Sequence, residues 1–197
     1  MRTLRLLKLD AWRTAPPPHP HPLHAWLTSR GSLTSRLKAH AREFNLVRLK
    51  QLAQMPNTDE RRELGLRRGE LAIVREVLLR DGSAPLVFAH SIAARRDLRG
   101  IWRGLSRLGS RPLAEMLFSD PTVVRLPMED RKIDPRHPLY RRAKQVAPFT
   151  ENTVWARRSV FLKQGVPLLV TEVFLTTMAT EPRHSGGYNN NCNTYRI

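Results

Sequence analysis

Cysteine is almost absent from this chain of 197 residues, which contains a single one, Cys192. A lone cysteine allows no disulfide within the chain and excludes a zinc site built from several thiolates. The sequence also has no uninterrupted apolar run of about 18 residues, so we expect no transmembrane helix and no stable membrane insertion. The N-terminus lacks the apolar core of a secretory signal. These absences predict a soluble, cytoplasmic protein.

Acidic residues are scarce as well. Only 17 aspartates and glutamates oppose 34 lysines and arginines, which gives a formal net charge of +17. Such a surface attracts nucleic acid, anionic lipid or a small acidic substrate, although an arginine-rich proteome would produce the same composition. Aromatic residues make up 7% of the chain and are not interleaved with the basic ones. Because single-stranded nucleic acids are bound by stacking on such aromatics, we expect no nucleic-acid partner.

The composition divides the chain into three parts. Residues 1–21 are rich in proline and histidine and are predicted to form an extended lead-in. The prolines between these histidines restrict their convergence, so we predict no metal site there. Residues 22–180 carry the periodic apolar patterns of a single domain, with a monomer as the expected state. Residues 181–197 consist largely of polar residues and glycine, which predicts a disordered tail.

Hydrophobic periodicity predicts both helices and strands. Apolar residues three and four apart indicate helices within 22–42, 96–108 and 113–118. Alternating or continuous apolar runs indicate strands at 44–55, 71–80, 84–92, 122–131, 153–163 and 166–176. The segments 56–69 and 134–150 are predicted to be irregular connections. Because the strands come as hairpins, the expected class is α+β, with a single antiparallel β-sheet of about six strands.

Two charged residues lie in otherwise apolar strands. Since side chains alternate faces along a strand, Arg75 shares a face with Val77, and Glu172 shares one with Val170 and Phe174. A charge in such a position is costly unless it is paired. Two arrangements would compensate for the burial of these charges. One is an ion pair between Arg75 and Glu172. The other is a closed pocket in which the guanidinium binds a ligand carboxylate and the carboxyl group meets a ligand hydroxyl.

Five short segments follow one another around these two residues. They are Gly31-Ser-Leu-Thr-Ser-Arg36, Ile73-Val-Arg-Glu-Val-Leu-Leu79, Leu108-Gly-Ser-Arg-Pro-Leu113, Trp155-Ala-Arg-Arg-Ser159 and Leu168-Leu-Val-Thr-Glu-Val-Phe-Leu175. In order and spacing they resemble the chorismate lyase family, the chorismate–pyruvate lyases of bacterial ubiquinone synthesis. The resemblance runs from about Leu23 to Thr177. It implies a single antiparallel sheet whose helical flaps close over a buried ligand site, with no metal and no organic cofactor.

The resemblance also assigns residues. It implies that Arg75 holds the ring carboxylate of chorismate and that Glu172 contacts the ring hydroxyl, and both are expected to be catalytic. Leu33 and Leu113 fall on substrate-binding positions that act through backbone N–H groups. Leu33 replaces a methionine of the best-known member, which matters little if only the backbone acts. His90 stands where relatives often carry arginine. It is either a half-buried strand residue or part of a positive pocket for the enolpyruvyl carboxylate.

The activity that the resemblance implies is the conversion of chorismate to 4-hydroxybenzoate and pyruvate, the first committed step of ubiquinone biosynthesis. The alternative is a non-catalytic sensor of a small aromatic carboxylate, because the family's fold resembles the effector domain of some bacterial transcription regulators. Such a sensor is normally joined to a DNA-binding helix-turn-helix. Only about 20 residues precede the first predicted helix, which favours the enzyme.

Overall fold

The structure is a computed structural model and describes residues 12–14, 21–175 and 178. Most of the predicted lead-in and all of the predicted disordered tail, residues 181–197, lie outside the described residues. These two assignments, and the domain limits of 22–180, therefore stay predictions. Within the described residues, no helix is long and apolar enough to cross a membrane.

The described part of the chain is built on one antiparallel sheet of seven strands, which confirms the α+β class. The strands are β1 (Phe44–Gln54), β2 (Ala72–Asp81), β3 (Ala84–Ala94), β4 (Val123–Arg125), β5 (Glu129–Ile133), β6 (Val154–Lys163) and β7 (Val166–Phe174). They lie in the order β1-β2-β3-β7-β6-β4, and β5 also pairs with β6. The hairpins β2–β3 and β6–β7 thus meet in the middle of the sheet, where β3 pairs with β7.

The predicted strand at 122–131 is in fact two strands. Pro127 has no N–H to donate to a ladder, and the chain leaves the sheet around it. β4 ends at Arg125 and pairs with one end of β6, whereas β5 begins at Glu129 and pairs with the other end. The sheet therefore has seven strands, where the sequence predicted about six.

Two helices occur where the sequence predicted irregular connections. The helices are α1 (His24–Thr28), α2 (Leu33–His40), α3 (Thr58–Glu63), α4 (Arg103–Ser106), α5 (Leu113–Ser119) and α6 (Pro138–Val146), with a 3-10 helix at Arg95–Arg99. The unexpected ones are α3, where the Glu60 carboxylate accepts the Asn57 N–H at 2.8 Å, and α6, which begins with a proline. The predicted helix at 96–108 is divided into the 3-10 helix and α4.

Helices cover both faces of the sheet. On one face, α1 and α2 pack against side chains of β2 and β3 that include Val77 and Ala89. On the other face, α6 packs against Leu78 and Phe88. Because neighbouring side chains in a strand point to opposite faces, Arg75 lies on the face of α1 and α2, and Glu76 lies on the face of α6.

Candidate active site

A cavity lies between the sheet and the helices α2 and α5. Two rows of cross-strand neighbours form its floor: Arg75, Ser91, Val170 and Ser159 in one row, and Val77, Ala89, Glu172 and Arg157 in the next. Its cover comes from Gly31, Leu33, Thr34, Leu113, Ala114, Leu117 and Phe118. The space within it that no protein atom fills, including the part open to solvent, is about 600 Å³.

All four residues predicted for the site line this cavity: Leu33, Arg75, Leu113 and Glu172. They come from four different elements, α2, β2, α5 and β7, which are far apart in the sequence. The structure therefore brings together every residue that the sequence predicted for the site.

Arg75 is buried in the cavity floor, with 1% of its surface exposed. Its Nη2 donates to the backbone carbonyls of Arg111 at 2.9 Å and Gly109 at 3.3 Å. Among the described residues, its Nε has no hydrogen-bond partner and no carboxylate pairs with its guanidinium. Burial, and to a smaller extent the charge of Arg48, lowers the pKa of Arg75 to about 10. A buried cation that lacks a counter-ion is suited to bind an anion.

Glu172 faces the same cavity but already has a partner. Its Oε2 lies 2.5 Å from Nε of Arg157, its cross-strand neighbour on β6. Arg157 also donates from Nη1 to the carbonyls of Trp26 at 2.6 Å and Ser29 at 3.0 Å. The ion pair between Arg75 and Glu172 that the sequence left open does not form. Instead, Arg157 fixes the Glu172 carboxylate at the cavity.

Leu33 and Leu113 share a backbone position, since each is the first residue of a helix. The first N–H groups of a helix have no acceptor within that helix. Within the described part of the chain, neither of these two N–H groups donates a hydrogen bond. Both N–H groups are therefore available to ligand oxygens, whatever side chain these positions carry.

The sequence did not single out two further cavity residues, Arg125 and Arg157. Arg125 ends β4, and it donates from Nε to Ser159 Oγ at 3.0 Å and from Nη1 to the Arg30 carbonyl at 2.8 Å. Alternation along β6 puts Arg157 on the face of Ser159, but the next residue, Arg158, is also basic, so the sequence pattern alone did not single out Arg157. Arg125 lies in a strand of three residues, which is too short to show a face.

The cavity is strongly positive. Among the described residues that line it, three arginines (Arg75, Arg125 and Arg157) face one glutamate, Glu172, a formal balance of +2. Burial lowers the pKa of Arg125, although the nearby Glu172 carboxylate opposes this effect. The described residues contain no group of three His, Cys, Asp or Glu placed to hold a metal ion. The charge of the site is thus suited to an organic dianion.

His90 lies on the other face of the sheet and does not line the cavity. Its Nε2 lies 3.1 Å from Glu60 and its Nδ1 lies 3.3 Å from Glu76, which also pairs with Lys50 and Arg142. Desolvation by itself would lower the pKa of His90, but the two carboxylates outweigh it and raise that pKa to about 9. The residue is fully buried, and its alternative role in the positive pocket is wrong because alternation along β3 directs it away.

Residues 11–181 of the chain match the family model described as chorismate lyase. The chain belongs to the chorismate lyase family. A relative named "Probable chorismate pyruvate-lyase" from Thiobacillus denitrificans is 48% identical over 161 residues, which cover 82% of this chain and 86% of the relative. A relative of the same name from Nitrosomonas europaea is 46% identical over 165 residues, covering 84% and 93%. The predicted resemblance is therefore confirmed over most of the chain.

The fold of this chorismate lyase family member also occurs in a solved structure of another kind. The effector domain of PhnF from Mycobacterium smegmatis is 12% identical, and the match covers 76% of this chain and 91% of that domain with a TM-score of 0.51. At this level of identity, the similarity extends to the fold alone. It agrees with the single open antiparallel sheet described above.

Proposed function

We propose that this chain is a chorismate lyase that converts chorismate to 4-hydroxybenzoate and pyruvate. The observation that carries the proposal is the buried Arg75, which has no carboxylate partner among the described residues and lies in a cavity whose formal charge is +2. Chorismate carries two carboxylates and therefore matches this charge. Membership of the family, and relatives named as chorismate pyruvate-lyases, support an enzyme of this class.

The reaction requires positioning more than added chemistry. The bond between the ring and the ether oxygen of chorismate breaks, and the neighbouring hydroxyl-bearing ring carbon loses its hydrogen as a proton. The ring thereby becomes aromatic, and the departing enolpyruvate gains a proton at its methylene carbon to become pyruvate. Because aromatisation drives these steps, the protein has mainly to hold and orient the substrate, and we propose that it uses no cofactor.

The spacing of the strands suits a ring with polar groups at both ends. Arg75 on β2 and Glu172 on β7 are separated by β3 and are offset by two residues along the strands. Their backbones therefore lie about 10 Å apart across the sheet and about 7 Å apart along it, about 12 Å in all. In the proposed complex, Arg75 binds the ring carboxylate through its planar guanidinium. Glu172 lies at the hydroxyl-bearing carbon and accepts its proton, while Arg157 keeps the carboxylate oriented. The N–H groups of Leu33 and Leu113 donate to substrate oxygens.

The segment from α1 to α2, residues 24–40, is called here the N-terminal flap. Arg157 holds two of its carbonyls and Arg125 holds the carbonyl of Arg30. A product enclosed beneath a flap leaves only when the flap opens, so we expect slow release and inhibition by 4-hydroxybenzoate. We further propose that the enzyme acts as a cytoplasmic monomer at the first committed step of ubiquinone biosynthesis.

The test is incubation of the purified protein with chorismate, with pyruvate and the aromatic product measured separately. Equal amounts of pyruvate and 4-hydroxybenzoate are expected, whereas 3-hydroxybenzoate would indicate a different elimination. Glu172→Gln is expected to lower kcat by about 100-fold or more, because it removes the proton acceptor. Glu115→Gln is the matched control, since Glu115 is exposed in α5 and pairs only with Lys38 among the described residues.

One outcome would contradict the proposed activity, and another would contradict the role of Glu172. Protein that binds 4-hydroxybenzoate but releases no pyruvate from chorismate would be a sensor of an aromatic carboxylate rather than a lyase. Full activity in Glu172→Gln would remove Glu172 from the mechanism while leaving the lyase activity itself in place.

A further inference from the structure

The substrate's second carboxylate also needs a cation. Arg75 accounts for the ring carboxylate. The charge of Arg157 is balanced by Glu172, and its Nη1 donates to two backbone carbonyls of the N-terminal flap, although its Nη2 has no hydrogen-bond partner among the described residues. Family resemblance suggested His90 for the enolpyruvyl carboxylate, but His90 lies on the opposite face of the sheet between Glu60 and Glu76. The described lining of the cavity therefore leaves one guanidinium, that of Arg125, for the second negative charge.

Arg125 is placed and oriented for this role. Its Nε and Nη1 are held by Ser159 and by the carbonyl of Arg30, so the guanidinium has a fixed position. In the part of the chain that the structure describes, its Nη2 donates no hydrogen bond and no carboxylate pairs with it. The side chain packs near the rings of Phe118 and Phe161, with 5.8 Å and 5.4 Å from its guanidinium carbon to the ring centres. A guanidinium that is fixed, partly desolvated and free of a counter-ion favours a carboxylate.

Arg125 also lies between two cavities. It lines the cavity described above and an adjoining one formed by residues that include Arg30, Leu126 and Asp130. The ring carboxylate at Arg75 and a second carboxylate at Arg125 would thus place the ring inside the first cavity, with the enolpyruvyl group towards its edge. Pyruvate would then form next to the adjoining cavity.

We propose that Arg125 is a substrate-binding residue that recognises the enolpyruvyl carboxylate and so distinguishes the dianionic substrate from the monoanionic product. The inference rests on the proposed function, because it takes chorismate as the substrate. It also predicts a general difference between two classes of ligand. Ligands with a second carboxylate beside the ring depend on Arg125, and ligands that carry the ring carboxylate alone do not.

The first test compares substrate and product in Arg125→Met. We expect KM for chorismate to rise about 10- to 100-fold, the range for one charged hydrogen-bonded contact, while the inhibition constant of 4-hydroxybenzoate changes less than threefold. Arg125→Lys keeps the positive charge but not the planar arrangement of donors, so we expect its KM for chorismate to lie between those of the wild type and Arg125→Met. Equal weakening of substrate and product would overturn the proposal, because it would mean that Arg125 only holds the flap through Arg30.

A second test does not depend on turnover. The probes are 3-(carboxymethoxy)-4-hydroxybenzoate and its uncharged carbamoylmethoxy counterpart, whose binding is measured by calorimetry in the wild type and Arg125→Met. The wild type is expected to prefer the dianion at least about tenfold, and the variant to lose that preference. Retained preference in the variant would overturn the role of Arg125. Absence of pyruvate release by the wild type would instead overturn the proposed function, and the two probes would still decide on Arg125.

Discussion

Arg75 and Glu172 are both charged residues in apolar strands, but their burial is compensated differently. Glu172 has a permanent partner in Arg157 at 2.5 Å, so its carboxylate stays oriented without a ligand. Among the described residues, Arg75 has only the carbonyls of Gly109 and Arg111 as partners, and its pKa falls to about 10 through burial. We infer that Glu172 takes part in the reaction of a bound ligand and that Arg75 binds the negatively charged group of that ligand.

We expect Arg75→Met to abolish ligand binding without loss of stability. The buried guanidinium lacks a counter-ion among the described residues, and its replacement by an apolar side chain of similar length removes an uncompensated charge. The measurement is thermal unfolding with and without 4-hydroxybenzoate. The variant should melt at or above the wild-type temperature without ligand, and the ligand should raise the melting temperature of the wild type alone.

Arg80→Met on the same strand is the control for this prediction. Arg80 lies outside the cavity lining and donates to the Ser83 carbonyl in the β2–β3 turn. Its loss should leave the ligand-induced rise in melting temperature intact. A large fall in the melting temperature of Arg75→Met would contradict the prediction and make Arg75 a structural residue.

The sequence pointed to candidate site residues where a charged side chain interrupts an otherwise apolar strand. Arg75 and Glu172 stand in long apolar runs, so alternation alone brings them to notice. Arg157 was hidden because its neighbour Arg158 is also basic, and the pattern does not tell which of the two faces the cavity. Arg125 depends on pairing between β4 and β6, which is a long-range contact that no local pattern encodes.

At the scale of the secondary structure, the strands of the two central hairpins were predicted well because their apolar runs are long. The segment containing α6 was taken as irregular because of its prolines and basic residues, yet Pro138 occupies the first helical turn, where proline is favoured. α3 was missed although Asn57 and Glu60 show the spacing of a capping box. These errors came from reading the composition of a segment before its helix-start signals.

The start of α2 positions the Leu33 N–H group, which we propose to bind the ligand, and this leads to a prediction about the N-terminal flap. Ser32 Oγ caps α2 by accepting the Ser35 N–H at 3.1 Å, immediately before Leu33. Ser32→Ala should cost about 1 kcal/mol of helix stability and disorder the Leu33 N–H. We expect 4-hydroxybenzoate to dissociate about fivefold faster, as measured by stopped-flow displacement, with weaker product inhibition.

Ser35→Ala is the matched control, because Ser35 is exposed on α2 and contributes to the cap only through its backbone N–H. It should leave the dissociation rate at the wild-type value. If Ser32→Ala left that rate unchanged as well, the N-terminus of α2 would not control product release.

At the scale of the whole molecule, the sheet separates two systems of charges. One face carries the positive cavity, and the other carries the buried cluster of His90, Glu60, Glu76, Lys50 and Arg142. His90 and Glu76 lie in the sheet, whereas Glu60 lies in α3 and Arg142 lies in α6. The cluster therefore joins both helices to the strands. We infer that it serves the stability of the domain rather than the reaction.

This cluster predicts how stability depends on pH. The pKa of His90 is about 9 in the folded protein, against an ordinary value of 6.5. A raised folded pKa means that the contribution is complete below pH 6.5 and is lost as the pH rises through about 9. The free energy of unfolding, from urea titrations, should therefore fall across this range, by at most roughly 3 kcal/mol.

His90→Gln should be less stable than the wild type near neutral pH, and it should lack this decline towards pH 9. His40→Gln, at the C-terminal end of α2 and outside the cluster, should retain the decline. An unchanged pH profile in His90→Gln would assign the decline to other groups.

Alternation along β2 places Arg75 in the cavity and Glu76 in the charged cluster on the other face. This arrangement has a consequence for folding. If β2 slipped by one residue, a carboxylate would enter the cavity that holds Glu172, and Arg75 would meet the charged His90 and Arg142. The face of α6 would then bury cations together without the Glu76 carboxylate, and the cavity would lose the cation Arg75, whereas a purely apolar strand would tolerate the slip far better. We therefore expect the adjacent opposite charges of Arg75 and Glu76 also to favour the correct strand register, so that misaligned sheets are disfavoured before the chain reaches its native state.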